Sequence, residues 1–183
     1  MKDRAKIGLF FLGGESWWEA GVCDAQEGPF AGFIDKVESD VASITNTLAQ
    51  DFEIVSSGLL HSVDAAIQEA RKYNDAKVDA IVFCPIIWTN DAPVVAFIQE
   101  AQHVPLIMWA YDPYEGILDY YTIDVWLRSS GPVSVQQSSN IFRRFGWDYD
   151  VVFGNQKEEE PLQEIKAFIR AAIVKKSLVG TRI

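Results

Sequence analysis

A doubly wound α/β fold around a five-stranded parallel sheet is what this sequence predicts, on three observations. Five short, largely apolar runs alternate along the chain with stretches whose apolar residues recur at helical spacing. Ala80 to Cys84 is continuously apolar, as a strand covered on both faces must be. The runs also stop at glycine or proline and release polar and aromatic residues, the way an open α/β sheet presents loops at its carboxyl edge.

The first strand is Lys6–Leu12, and the loop from Gly13 to Gly28 is longer than a usual βα connection, which points to function. A helix follows from about Pro29, with Ile34, Val37, Val41, Ile44 and Leu48 on one stripe and Asp35, Lys36, Glu38 and Asp40 elsewhere on its surface. The second strand is Phe52–Ser56. Ser62 then caps a helix to about Asn74 that buries Val63, Ala66, Ile67 and Ala70. The third strand, Val78–Cys84, ends in Pro85-Ile86-Ile87-Trp88-Thr89-Asn90-Asp91; Asn90 or Asp91 caps the next helix, and Pro93 fits its first turn. The fourth strand is Pro105–Ala110. A helical stretch from Ile117 to Leu127 breaks at Ser129-Ser130-Gly131-Pro132, and a second runs from Val133 to Phe145. The fifth strand is Tyr149–Phe153. The last helix begins at Pro161 behind Glu158, Glu159 and Glu160, whose charge opposes the positive end of its dipole, and buries Leu162, Ile165, Phe168, Ile169 and Ile173. Strands that alternate with helices pair in parallel. The expected architecture is a flavodoxin-like (Rossmann-like) three-layer sandwich with strand order 2-1-3-4-5.

The 183 residues suit one domain with a sizeable core. Gly180 ends the last helix and Thr181-Arg182-Ile183 reads as the opening of another strand. The expected domain is therefore 1–180, followed by the start of a further domain of a longer polypeptide. A net charge of −10 argues against nucleic acid or an anionic membrane as partner. No apolar run reaches the length of a membrane span, and the N-terminus leads into a strand rather than a signal sequence. Cys23 and Cys84 stand in unrelated contexts, so a disulfide framework is not indicated and a reducing cytoplasm is the default location.

The chemistry begins with exclusions. Gly13-Gly14 lacks G-x-G-x-x-G and G-K-[ST], and Glu15, Trp17 and Trp18 bring charge and bulk where amides would have to approach a phosphate. His61 and His103 are far apart and read as surface residues, with no metal-ligand spacing around them. Cys84 reads as a small buried hydrophobe, and no base or orienting group accompanies it. No self-contained catalytic set is present. What remains is a polar-aromatic rim: Glu15, Ser16, Trp17 and Trp18 after the first strand, Trp88, Thr89, Asn90 and Asp91 after the third, and Trp109, Tyr111, Asp112 and Tyr114 after the fourth. Indole and phenol faces beside hydroxyl, amide and carboxylate groups suit a sugar. The plainer reading of each residue is loop packing or a subunit interface, and Trp109 reads as core.

KIGLFFLGGESWWEAG resembles the opening of the L-fucose and L-arabinose isomerase superfamily. VDAIVFCPIIWTNDAPVVAFIQEAQHVPLIMWAY is similar to the family's third strand, loop, helix and fourth strand, and SNIFRRFGWDYDVVFG to the stretch before its last helix; RAAIVKKSLVGTRI resembles the helix and strand start that lead into its second domain. The resemblance implies an aldose–ketose isomerase that uses a divalent metal, usually manganese, held with the proton-transfer groups by later domains. This chain would then carry no catalytic residue and no metal or other cofactor of its own. It would lend sugar-pocket residues to a neighbouring subunit of a homo-oligomer: Glu15, Trp17 and Trp18 after the first strand, Trp88 and Thr89 after the third. Glu15 stands where arabinose isomerases tend to have a neutral amide, and tryptophan where they have tyrosine, departures that favour a fucose-like or other sugar. Two further readings stay open. One is a stand-alone flavodoxin-like module that binds a sugar or flavin. The other is an oligomerisation domain whose loop tryptophans anchor an interface.

Overall fold

The computed structural model describes residues 4–116 and 118–178. Its strands are β1 (Lys6–Leu12), β2 (Glu53–Val55), β3 (Leu59–Leu60), β4 (Ala80–Pro85), β5 (Leu106–Tyr111) and β6 (Tyr149–Gly154). Every pairing between them is parallel, and the sheet runs β2-β1-β4-β5-β6, the doubly wound order expected. Successive β1 side chains enter opposite layers, as the two-residue period of a strand requires. Ile7, Leu9 and Phe11 meet Val37, Ile44 and Leu48 of α2 (Phe33–Ala49) and Ile165 and Ile169 of α7 (Glu159–Leu178). Phe10 and Leu12 meet Ala66 and Tyr73 of α3 (Val63–Ala76), Phe97 of α4 (Asp91–Glu100) and Phe142 of α6 (Gly131–Arg144). The result is a three-layer sandwich with α2 and α7 on one face and α3, α4 and α6 on the other.

Several boundaries differ from the sequence reading for local reasons. The long first loop contains a one-turn helix, α1 (Ser16–Glu19), and a 3-10 turn at Gly28–Phe30. α2 therefore starts at Phe33, behind Gly32 in the left-handed conformation (φ 65°). The stretch expected to be helical from Ile117 forms α5 only over Ile123–Arg128, and Ile117 lies outside the described residues. Gly131-Pro132, read as a break, is instead the first turn of α6, where a proline without an N–H is harmless. The strand start expected at Thr181–Ile183 also lies outside the described residues.

The edge next to β1 is split. β2 pairs with Lys6–Gly8 and β3 with Phe11–Leu12, while Ser56–Gly58 bends away between them, with Gly58 at φ 83°. Ser56 Oγ donates to Leu9 O at 2.9 Å, and the carboxylate of Glu69, itself 1% exposed, accepts from the Ser57 N–H and hydroxyl. Glu69→Ala would leave both Ser57 donors without that acceptor. We expect it to lower stability by about 1–3 kcal/mol, read as a lower urea midpoint with an unchanged slope. Among the described residues no strand pairs with the outer side of β6, at the opposite edge, where Val151 is 50% and Phe153 64% exposed.

α5 is fastened across α2 by two rungs. Lys36 Nζ lies 3.3 Å from Asp124 and Asp40 lies 2.6 Å from Arg128 Nη2, so residues four apart on one helix meet residues four apart on the other with opposite polarity. The inner pair is largely sheltered, its side chains 13% and 17% exposed. No helix among the described residues is long and apolar enough to cross a membrane.

Candidate functional site

A doubly wound sheet parts its loops where the winding reverses, here between β1 and β4, and ligands of such folds bind at that crevice. Gly13 and Gly14 follow β1 directly. The Gly13 N–H donates to Leu60 O at 2.8 Å and the Gly14 N–H to Trp88 O at 3.0 Å, so the loop is tied to the strands on both sides. A Cβ on Gly14 would come within 2.9 Å of the Trp88 carbonyl oxygen, and one on Gly13 within 3.0 Å of the Ile87 side chain. The paired glycines thus serve close approach between loops. Both amides are spent on carbonyls, and neither is free to cradle a phosphate.

Trp88 O accepts a second bond, from Trp17 Nε1 at 2.9 Å. The two indoles stand with centroids 5.7 Å apart at 53°. Trp88 is 40% exposed, and its Nε1 donates to Gln137 Oε1 at 3.3 Å; the amide of Gln137 in turn donates to Asp91 Oδ1 at 2.6 Å. Glu15 occupies the N-cap position of α1 and is half-buried, with no hydrogen bond or ion pair on its carboxylate among the described residues. Trp18 turns the other way. Its ring stacks on His61 at 4.2 Å and 17°, and His61 Nδ1 is buried without a hydrogen-bond partner among the described residues.

Thr89 is 3% exposed and faces inward. Its N–H donates to Ser134 Oγ at 3.1 Å, and its hydroxyl lies 3.3–3.4 Å from Asn90 O and Gly13 O. It joins the first turn of α6 to the two loops. The structure therefore brings Trp17 and Trp88 together on one wall, with Glu15 in the same loop as Trp17, stacks Trp18 on His61, and buries Thr89 among the loops and the start of α6.

The third rim group does not join them. Trp109 is core, fully buried with Nε1 donating to Gly154 O at 2.8 Å. Tyr111 is 1% exposed, and Tyr114 accepts from Arg128 Nη1 at 3.1 Å on the α2 face. Burial raises the Asp112 carboxyl above its ordinary value, against the Tyr114 N–H and the Arg128 charge, which act to lower it. Sequence reasoning took His61 for a surface residue, where it stacks on Trp18 with Nδ1 buried, and missed Ser134, Gln137 and the Asp40–Arg128 pair. Each gets its partner from a distant segment, and the spacing of neighbours gives no sign of it. Among the described residues no group of three or more His, Cys, Asp or Glu side chains is placed to hold a metal ion, so a manganese site does not fit the residues present.

At the amino edge a cavity of about 550 Å³ lies among Val78, Leu106, Tyr149, Phe168 and Lys175. Loops that follow strands gather at the other edge, and the candidate site is placed there.

No protein-family model and no curated protein matches the chain. Among solved structures it is similar to a gut microbial diltiazem-metabolizing enzyme, with 9% identity and a TM-score of 0.36. The match covers 82% of this chain and 37% of that one.

Proposed function

We propose that this chain is the sugar-facing N-terminal domain of a metal-dependent aldose–ketose isomerase of the L-fucose and L-arabinose isomerase kind. The observation that carries the reading is the wall at the β1/β4 crevice. Trp17 and Trp88 are held 5.7 Å apart by bonds that fix both loops, and Glu15 of the same loop has no hydrogen bond or ion pair on its carboxylate among the described residues. Indole faces cover the C–H patches of a pyranose or an open aldose, and a carboxylate accepts from its hydroxyls. The family resemblance of the β1 and β4 loops supports the same assignment. The metal and the proton transfer between C1 and C2 belong to other domains of the polypeptide, and the wall completes the pocket of a neighbouring subunit in a cytoplasmic homo-oligomer. A flavin module is the weaker reading, because both glycine amides are already bonded.

The test is kinetic, in the full-length enzyme supplied with manganese and assayed on L-fucose and L-arabinose. Trp88→Ala should raise KM about tenfold with little change in kcat, the signature of lost binding that ground and transition states share. Affinity for manganese should be unchanged. Turnover by residues 1–183 alone, or an unchanged KM in Trp88→Ala, would refute the assignment.

A further inference from the structure

The cavity of about 550 Å³ at the amino edge of the sheet lies at the opposite end of the strands from the Trp17–Trp88 wall. Helix α7 packs on β6 and β4, and a wedge opens between its last turns and the strand beginnings. One wall is the helix. Phe168, Ala172, Lys175 and Lys176 follow one another at helical spacing and share a side of α7. The other wall is made where the chain enters β4 at Val78 and Asp79, β5 at Val104 to Leu106, and β6 at Asp148 to Asp150. The volume falls in the range of roughly 300–1,000 Å³ typical of small-molecule sites.

The floor is apolar. Val78, Leu106 and Ala172 are buried, and Val104 and Phe168 are half-buried beside them. Charge is confined to the rim, and part of it is already paired. Lys176 Nζ crosses the wedge to Asp79 Oδ1 at 2.5 Å, and Asp79 Oδ2 accepts the Lys6 N–H at 2.9 Å. His103 lies against the Trp147 ring, with centroids 4.6 Å apart. What remains is Lys175 on the helix and Asp148 and Asp150 on the strand wall. All three are exposed, and none has a hydrogen bond or ion pair among the described residues. Asp150 and Val152 share a side of β6, and Val152 lies in the layer of α2 and α7, so the Asp150 carboxylate is on the same face of the sheet as Lys175.

The wedge thus sets an unpaired ammonium opposite two unpaired carboxylates, with an apolar floor between them. A simple anion would face both carboxylates, and a simple cation would face the Lys175 ammonium. A neutral apolar molecule would shield all three charges from water and pair none of them. A small zwitterion with an apolar body meets both signs and the floor together. We propose that this wedge binds an α-amino acid with an apolar side chain. Its carboxylate pairs with Lys175, its ammonium with Asp148 and Asp150, and its side chain lies on Val78, Leu106 and Phe168. The site shares no residue with the tryptophan wall and does not depend on the isomerase reading.

The probe is L-leucine, titrated into this chain by calorimetry and followed in nitrogen–proton correlation spectra. The amides of Val78, Leu106 and Asp150 should shift saturably, with the dissociation constant that calorimetry returns. Isocaproate, which is leucine without its ammonium, and isopentylamine, which is leucine without its carboxylate, should each bind at least tenfold more weakly. Lys175→Met keeps the aliphatic stem and removes the charge, and should weaken leucine binding about tenfold, as should Asp148→Asn combined with Asp150→Asn. Both variants alter exposed side chains only, so the fold is kept. The absence of saturable leucine binding would overturn the proposal. So would either analogue binding as tightly as leucine, both variants retaining the parent affinity, or leucine shifts that spare Val78, Leu106 and Asp150.

Discussion

Gly131→Ala should lower the melting temperature by about 6–12 °C, the effect of about 3 kcal/mol in a domain of this length. Gly131 opens α6 where that helix meets the carboxyl ends of β4 and β5. A Cβ there would press on the Tyr111 carbonyl oxygen and stand 2.7 Å from that of Pro85. Both obstacles are backbone atoms of core strands, so no rotamer change relieves the contact and α6 must move. The same first turn carries Ser134, whose hydroxyl receives the Thr89 N–H, so the displacement also loosens the loop behind Trp88. Pro132→Ala, one residue on, meets no such obstacle and should cost less than about 1 kcal/mol. Thermal melts of the two variants side by side check the point. Equal midpoints would mean that α6 does not start against the strand ends.

Asp40→Ala should cost about 3–5 kcal/mol, because it leaves the Arg128 guanidinium sheltered and without its counter-charge. Asp40→Leu combined with Arg128→Met should recover most of that loss, since an apolar pair needs no solvation. A double substitution no better than the single one would show that the charge pair itself holds α5 in place. The outer rung behaves differently. Lys36 is half exposed, and Lys36→Ala should cost less than about 1 kcal/mol. That rung also responds to acid. A hydrogen bond from the Thr122 hydroxyl, and then the Lys36 ammonium, hold the Asp124 carboxyl below its ordinary value of 3.8. A folded value below the unfolded one stabilises above pH 3.8, and the gain is lost as pH falls through the lower folded value. Trp126 fluorescence should therefore report loosening of α5 only in that acidic window, and Asp124→Asn should remove the transition.

The strands were legible because core strands write their burial into consecutive residues, as Ala80 to Cys84 does, whereas their order followed from the fold class and not from any periodicity. The helices showed through their stripes: Val37, Val41, Ile44 and Leu48 are all buried on α2. The site was legible only as a composition of loops. Trp17 and Trp88 share a wall because Trp88 O accepts from both Gly14 and Trp17, a bond pattern spanning more than seventy residues that no local spacing encodes. Thr89 looks the same in sequence whether its hydroxyl faces a ligand or, as here, the interior. Asp40 and Arg128 are 88 positions apart on two helices, and no spacing within either helix announces their contact. The misread Gly131-Pro132 is a case of two opposite meanings for one dipeptide, a stop or a helix start, and only the crowding of strand ends behind it selects the second.

The two ends of the sheet do not offer the same opportunity to another strand. At one end the kink at Ser56–Gly58, pinned by Glu69, interrupts the row of main-chain groups that a newcomer would have to match. At the other, β6 offers an unbroken row flanked by Val151 and Phe153. The invitation is one-sided, and three residues on the far side of the domain close off the other end.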